Sequence, residues 1–149
     1  AVMEILFALQ WRNRSGEGRY LDISMCDGVV PLFTLPFDMM KLGQAYRPGE
    51  SIVGGGLACY NFYRTRDHRY LAVGALEAKF FEKLCIALGI PDMVPLQFDA
   101  ASQTAVKSRL AGVFAQKTAD EWDAMLGPMN ICVTRVNTFD EAMAVRKPP

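Results

Sequence analysis

Between Gln44 and Ala58 the chain carries Pro48, Gly49 and the triplet Gly54-Gly55-Gly56. Proline fixes its own φ and lacks an amide donor, and glycine readily leaves the helical and strand regions. No regular helix or strand is expected to run through such a stretch. It divides the chain into two lobes, and reads as a linker or as a ligand-facing loop between them.

Ahead of this break, Val2, Ile5, Leu6, Ala8 and Leu9 share one helical face, with Trp11 ending the run. Arg12 to Gly18 is polar and glycine-bearing and reads as a turn. Arg19 to Ile23 alternates polar and apolar residues, the pattern of a short strand. Ser24 is placed to cap the next helix, with Asp27 three residues on. That helix is expected to stop at Gly43 and to kink or break at Pro31 and Pro36.

Beyond the break, Tyr60–Thr65 and Tyr70–Gly74 read as two strands joined by the turn Arg66-Asp67-His68-Arg69. Leu76 to Leu88 has helical periodicity, with Phe80, Phe81, Leu84, Cys85 and Leu88 inward and Gly89 and Pro91 as stops. Pro91 to Ala100 reads as a loop. Ala101 to Gln116 is a helix with Val106, Leu110, Val113 and Phe114 inward. Thr118 and Glu121 form a capping box for a third helix, whose inner face is Trp122, Met125 and Leu126. Ile131 to Val136 is a strand, and Phe139 to Val145 a short helix capped by Thr138. Lys147-Pro148-Pro149 is an unstructured exit. The opening residues read as a helix already under way, which suggests a piece of a longer protein.

Composition narrows the function classes. Hydrophobic residues make up 51% and charged residues 21%, a globular balance. Sixteen Lys and Arg offset sixteen Asp and Glu, and the basic residues form no run, which argues against a nucleic-acid partner. No stretch has the apolar length of a membrane span, and no secretory leader is visible. The four cysteines, Cys26, Cys59, Cys85 and Cys132, are scattered, without the short ligand spacing of a zinc site. All four read as buried, reduced thiols of a cytoplasmic protein, and no metal is expected.

Candidate chemical groups are few. The glycine triplet lacks the G-K-S/T of a P-loop and the strand–turn–helix setting of a dinucleotide fingerprint. His68, the single histidine, falls in the hairpin turn and reads as a surface residue, which leaves no histidine-based triad within the chain. Glu77 follows a strand at the start of a helix. The helix dipole alone accounts for a carboxylate there, but the same junction could present it to a cleft, where it would orient an acid–base partner. Tyr60, Phe62, Tyr63 and Tyr70 read mostly as core or hairpin-packing residues.

Three stretches carry a resemblance. Gly18-Arg-Tyr-Leu-Asp-Ile-Ser-Met-Cys-Asp-Gly28 is similar to a G-x-x-x-D-x-S-M-x-D-G segment of the family III CoA-transferases, also called the CaiB/BaiF family. The run from Tyr60 to Phe80 resembles that family's Y-x-x-Y-x-T-x-D-G-R-Y-x-A-V-G-A-x-E-P-K-F, and Asn130 to Thr134 resembles its C-V-T-P-V element. The α-methylacyl-CoA racemase branch is the nearest. His68 stands where the family has a turn glycine, Ala78 where it has the helix-opening proline, and Arg135 where it has the proline after Val133-Thr134.

The resemblance implies a mixed α+β and α/β fold: residues 1–43 closing a large Rossmann-like, CoA-binding lobe, residues 44–59 a linker with its glycine loop, and residues 60–149 a small α+β domain. It implies an interlocked homodimer with sites between lobes of different subunits, and an acyl-CoA thioester as substrate with no covalently bound cofactor. The family's proton-shuttling His and Asp, and the transferase Asp, belong to sequence ahead of this chain. By resemblance Glu77 supports the catalytic His, while Tyr60, Asn61 and Gly54, Gly55 and Gly56 belong to the substrate-binding set. The expected function is therefore part of a racemase or CoA-transferase, inactive alone. The alternative is a non-catalytic module from the same fold that oligomerises or binds a partner.

Overall fold

The computed structural model describes residues 1–43, 47 and 49–145. The chain divides into two compact units, Ala1–Tyr46 and Arg47–Pro149. The expected exit at residues 147–149 lies outside the described residues, as do Pro48 and residues 44–46 of the break.

The first unit is helical. Helix α1 spans Val2–Ser15 and ends at Gly16, whose φ of 76° is the left-handed cap that glycine adopts without strain. It runs past Trp11, through the residues read as a turn, because Arg12, Asn13 and Arg14 are polar without being helix breakers. Residues 19–23 form no strand. A strand needs a ladder partner, and among its described residues this unit has none. The segment instead folds back so that the Arg19 guanidinium lies 4.3 Å from the Trp11 ring centroid. Ser24 caps α2 (Met25–Val29), its hydroxyl accepting from the Asp27 amide at 3.1 Å. A 3-10 turn over Val30–Phe33 contains Pro31 and separates α2 from α3 (Thr34–Lys41). Pro36 does not break α3: it is the third residue, where no intrahelical amide bond is lost. No described residue of this unit is buried.

The second unit is α+β, as expected. Strands β1 (Tyr60–Arg64), β2 (Tyr70–Gly74) and β3 (Val133–Arg135) form an antiparallel sheet with β2 central. Tyr60 pairs with Gly74, Phe62 with Ala72, and Ala72 with Thr134. His68 takes φ 63° at the hairpin turn, the left-handed role of the family's glycine. Helices α4 (Ala78–Ala87), α5 (Gln103–Phe114), α6 (Ala119–Leu126) and α7 (Phe139–Val145) supply the helical part. Residues 91–96 and 100–102, read as a loop and the start of α5, are 3-10 turns.

Packing follows the periodicity. Tyr63, Leu71 and Val73 of the sheet meet Phe81 and Leu84 of α4, Val106, Leu110 and Phe114 of α5, and Trp122 and Leu126 of α6 in one cluster. The Phe114 ring is 5.1 Å from Tyr63 and 5.4 Å, edge-on, from Trp122. The polar tips are satisfied: Tyr63 OH donates to Ala58 O at 2.7 Å, and Trp122 Nε1 to Phe114 O at 2.9 Å. Burial pushes the Tyr63 phenol well above its usual range. Met125, expected inward, is exposed, and Ala119 takes a buried place on α6.

Two surface networks lock the hairpin to the helices. The Asp67 carboxylate accepts from Thr65 Oγ1 and from the α6 amide of Ala119. Arg66 donates to Glu121 at 3.0 Å, and Glu121 also accepts from Thr118 N at 2.7 Å to complete the capping box. Hydrogen bonds from Thr65 and from Thr118 hold the Asp67 and Glu121 carboxyls below their ordinary values. Glu141 is lowered in the same way, first by the Thr138 amide and then by Arg69.

The cysteines divide. Cys59 and Cys85 are buried, and burial pushes both thiols up, Cys85 to about 12. Cys26 and Cys132 are exposed, contrary to the expectation of four buried thiols. An apolar neighbour in sequence does not say which way a side chain faces, and Cys132 takes φ 57°, off the strand path.

Candidate functional site

Period-2 alternation gives the sheet two different faces. Tyr63, Leu71 and Val73 point into the core. Tyr60, Phe62, Ala72 and Gly74 point the other way and are exposed or half-buried. Of the four aromatics read mostly as core or hairpin-packing residues, Tyr63 is in the core, while Tyr60, Phe62 and Tyr70 are exposed. In a Tyr-Asn-Phe-Tyr run both faces carry aromatic residues, so alternation alone does not pick the covered one.

The uncovered face forms a groove of about 620 Å³. Its floor is Ala72 and Gly74 of β2. Tyr60 and Phe62 form one wall, and Cys132 to Thr134 the other. Val53, Gly54 and Gly55 close one end. The depression exists because a large residue on β1 faces a small one on β2 at two successive open-face pairs, Tyr60 with Gly74 and Phe62 with Ala72. A methyl group built on Gly74 would lie 3.9 Å from the Tyr60 ring and 3.7 Å from the Cys132 carbonyl, in ordinary contact. Among the described residues, no Asp, Glu, Lys, Arg or His lines the groove.

The glycine triplet is a wide turn over Ile52–Gly56 in which the Gly54 and Gly56 amides both donate to Ser51 O, at 3.0 and 2.9 Å. Two of the glycines have separate reasons. Gly55 has φ 94°, and a Cβ on Gly56 would sit 2.2 Å from the Glu50 carbonyl oxygen. Gly54 and Gly55 reach the groove, while Gly56 faces a smaller hollow of about 230 Å³ beside α5. Asn61 lines the groove, but its polar atoms serve the backbone: Nδ2 donates to Gly55 O at 3.3 Å, and Oδ1 accepts from Phe62 N at 2.8 Å.

Glu77 is the N-cap residue of α4, exposed and without a side-chain capping bond. It is not among the groove residues. The junction leading to it is held by Gln97, whose Nε2 donates to Leu76 O at 2.8 Å and Ala75 O at 3.3 Å. Gln103 likewise accepts from Ala58 N at 2.8 Å and donates to Asp99 O at 2.9 Å. Both glutamines are buried supports that sequence reasoning missed; Gln97, between Leu96 and Phe98, had a sequence signal as a long polar residue amid apolar ones, and Gln103 had none. His68, at the hairpin turn, is also outside the groove. Among the described residues, no group of His, Cys, Asp and Glu could hold a metal ion, and no helix is long and apolar enough to cross a membrane.

Comparison with known proteins supplies the family. The model of CoA-transferase family III matches residues 1–147. The chain is 37% identical over 144 residues to the alpha-methylacyl-CoA racemase of Mus musculus, covering 95% of this chain and 38% of the mouse protein. It is 25% identical over 150 residues to the succinyl-CoA–D-citramalate CoA-transferase of Chloroflexus aurantiacus, covering 97% of this chain and 37% of that enzyme. The crystal structure of a hypothetical protein from Mycobacterium tuberculosis superposes with a TM-score of 0.63 at 26% identity, over 93% of this chain and 37% of that one. A CaiB/BaiF family protein from Brucella suis shares the fold with a TM-score of 0.69 at 21% identity, over 96% of this chain and 39% of its own. The chain thus spans well under half the length of these relatives. With the family model matching from residue 1 to residue 147, the chain belongs to CoA-transferase family III.

Proposed function

We propose that this chain is part of an acyl-CoA-processing enzyme, a racemase or a CoA-transferase, and that the open-face groove receives the apolar part of an acyl thioester. The observation that carries this reading is the lining: an aromatic wall of Tyr60 and Phe62, a floor of Ala72 and Gly74, and, among the described residues, no charged side chain in about 620 Å³. Such a groove favours a hydrocarbon chain over a carboxylate, since each buried methylene is worth about 0.8 kcal/mol while an unpaired buried charge costs several. Relatives named as racemase and as CoA-transferase support the thioester.

In this reading the chain supplies walls and support and leaves the proton transfer to groups outside it. Its one histidine is at the hairpin turn, and Glu77 acts as a positioning carboxylate for a base contributed by another segment. Deprotonation beside a thioester needs donors aimed at the developing enolate oxygen, and, among the described residues, no charged donor lines this groove. The chain alone is then expected to leave the α-carbon of 2-methylacyl-CoA unexchanged in heavy water, followed by mass spectrometry.

Calorimetric titration tests the groove itself. A medium-chain acyl-CoA should bind more tightly than free CoA. Gly74→Val, which fills the floor without backbone strain, should weaken the acyl-CoA about tenfold and leave free CoA unchanged, a difference of about 1.4 kcal/mol. Equal affinity for acyl-CoA and CoA in the unaltered chain would overturn the reading. A second reading, an oligomerising module, is favoured by the exposed apolar side chains of α1, among them Val2, Leu6 and Phe7. A stable oligomer indifferent to acyl-CoA would select it.

A further inference from the structure

Helix α5 grips the glycine turn and the segment just after it at two points one helical turn apart. Gln103 holds the Ala58 amide, and Lys107 Nζ donates to the Gly55 carbonyl at 2.6 Å. Residues four apart share a helix face, so α5 presents both as a pair. From β1, Asn61 Nδ2 also donates to the Gly55 carbonyl at 3.3 Å. Ile52 and Val53 are exposed, and the two internal bonds both end on Ser51 O. Behind it lies the hollow of about 230 Å³ that Lys107 and Gln103 line together with Gly56.

We propose that Lys107 is the positioning residue of the groove: it holds the glycine turn in the shape that closes the groove's end, without lining the groove itself. Its ammonium and Asn61 Nδ2 both donate to the same oxygen, that of Gly55, the residue whose φ of 94° makes the turn. That carbonyl is thereby engaged from the α5 side, and the turn offers the groove the apolar surface of Val53, Gly54 and Gly55. Of the two donors to this oxygen, the charged one is the stronger tie. The proposal rests on the acyl-groove reading only for its ligand consequence; the hold on the turn stands by itself.

Hydrogen exchange and titration on Lys107→Met and Lys107→Arg separate the two. In K107M, exchange at the Gly54 and Gly56 amides should quicken about tenfold, about 1.4 kcal/mol, with the core amides of Leu71 and Val73 unchanged. Acyl-CoA affinity should fall about tenfold with free CoA unaffected, and K107R should restore most of both. Unchanged exchange at the turn in K107M overturns the proposal. So does an equal quickening in Val113→Ala, a core variant on the same helix, because the effect would then be global. If the unaltered chain binds acyl-CoA no better than CoA, the groove reading fails, and the exchange measurement still decides the role of Lys107.

Discussion

The two units are built from the same residue types and differ in what those residues touch. Phe7 on α1 is 69% exposed and Phe81 on α4 is fully buried, although both lie on helices with apolar side chains at helical spacing. Helices α1 to α3 show capping, left-handed glycines and proline placement, all local devices, and none of their residues is buried. The second unit adds long-range contacts: sheet against α4, α5 and α6, and side chains that reach the backbone far along the chain. Helices of this length are marginal without a packed face. The lesson is that helical signals and burial are separable, and that the apolar surface of the first unit is suited to a cover that the unit does not itself supply.

Equal truncations in the two units break or sharpen this contrast. Phe81→Ala should cost about 3–5 kcal/mol in urea unfolding, the range for a large-to-small change in a packed core. Phe7→Ala should change the unfolding free energy by no more than about 0.5 kcal/mol, as surface changes do. Similar losses in both would mean that α1 is covered in solution. The caps give a smaller version of the test. Thr118→Ala removes the capping box of α6, and with it about 1 kcal/mol of the second unit's stability. Ser24→Ala removes the same kind of bond from α2 and should lower helical circular dichroism slightly with no shift in the urea midpoint.

The smallest effect is that of pH. Asp67, Glu121 and Glu141 are all held below their ordinary values, all in the second unit. A carboxyl with a lowered folded-state value adds stability that is present above its unfolded value and lost as pH falls through the folded one. Melting of the second unit should therefore stay level from neutral pH down to about 5 and decline below about 4, where unfolded carboxyls take up protons. Glu121→Gln, which gives up both the charge for Arg66 and its share of this effect, should shallow the decline, read by thermal scans at stepped pH.

Much of the fold was legible in the sequence as pieces. The hairpin, Thr118 with Glu121, Ser24, and the inward residues of α4 and α5 rest on spacings of two, three and four residues, and they stand where those spacings put them. The glycine triplet was legible as a place where the backbone departs from regular structure, but its form as a turn pinned to α5 was not. Lys107 lies 52 residues beyond Gly55 and Gln97 lies 21 beyond Leu76, separations that no local pattern reports. The expected strand at residues 19–23 fails for a related reason, since alternation describes a segment's faces and not the neighbour its amides need.

The sequence by itself determined the hairpin and the caps at Ser24 and Thr118, because each depends on residues close together in the chain, and the motifs along its length determined the family. Only the tertiary structure decided which face of the hairpin is covered, which cysteines are exposed, and which long polar side chains hold the groove. Those outcomes depend on which surfaces meet, and a run such as Tyr60-Asn61-Phe62-Tyr63, apolar on both faces, leaves that choice to the helices that pack against it.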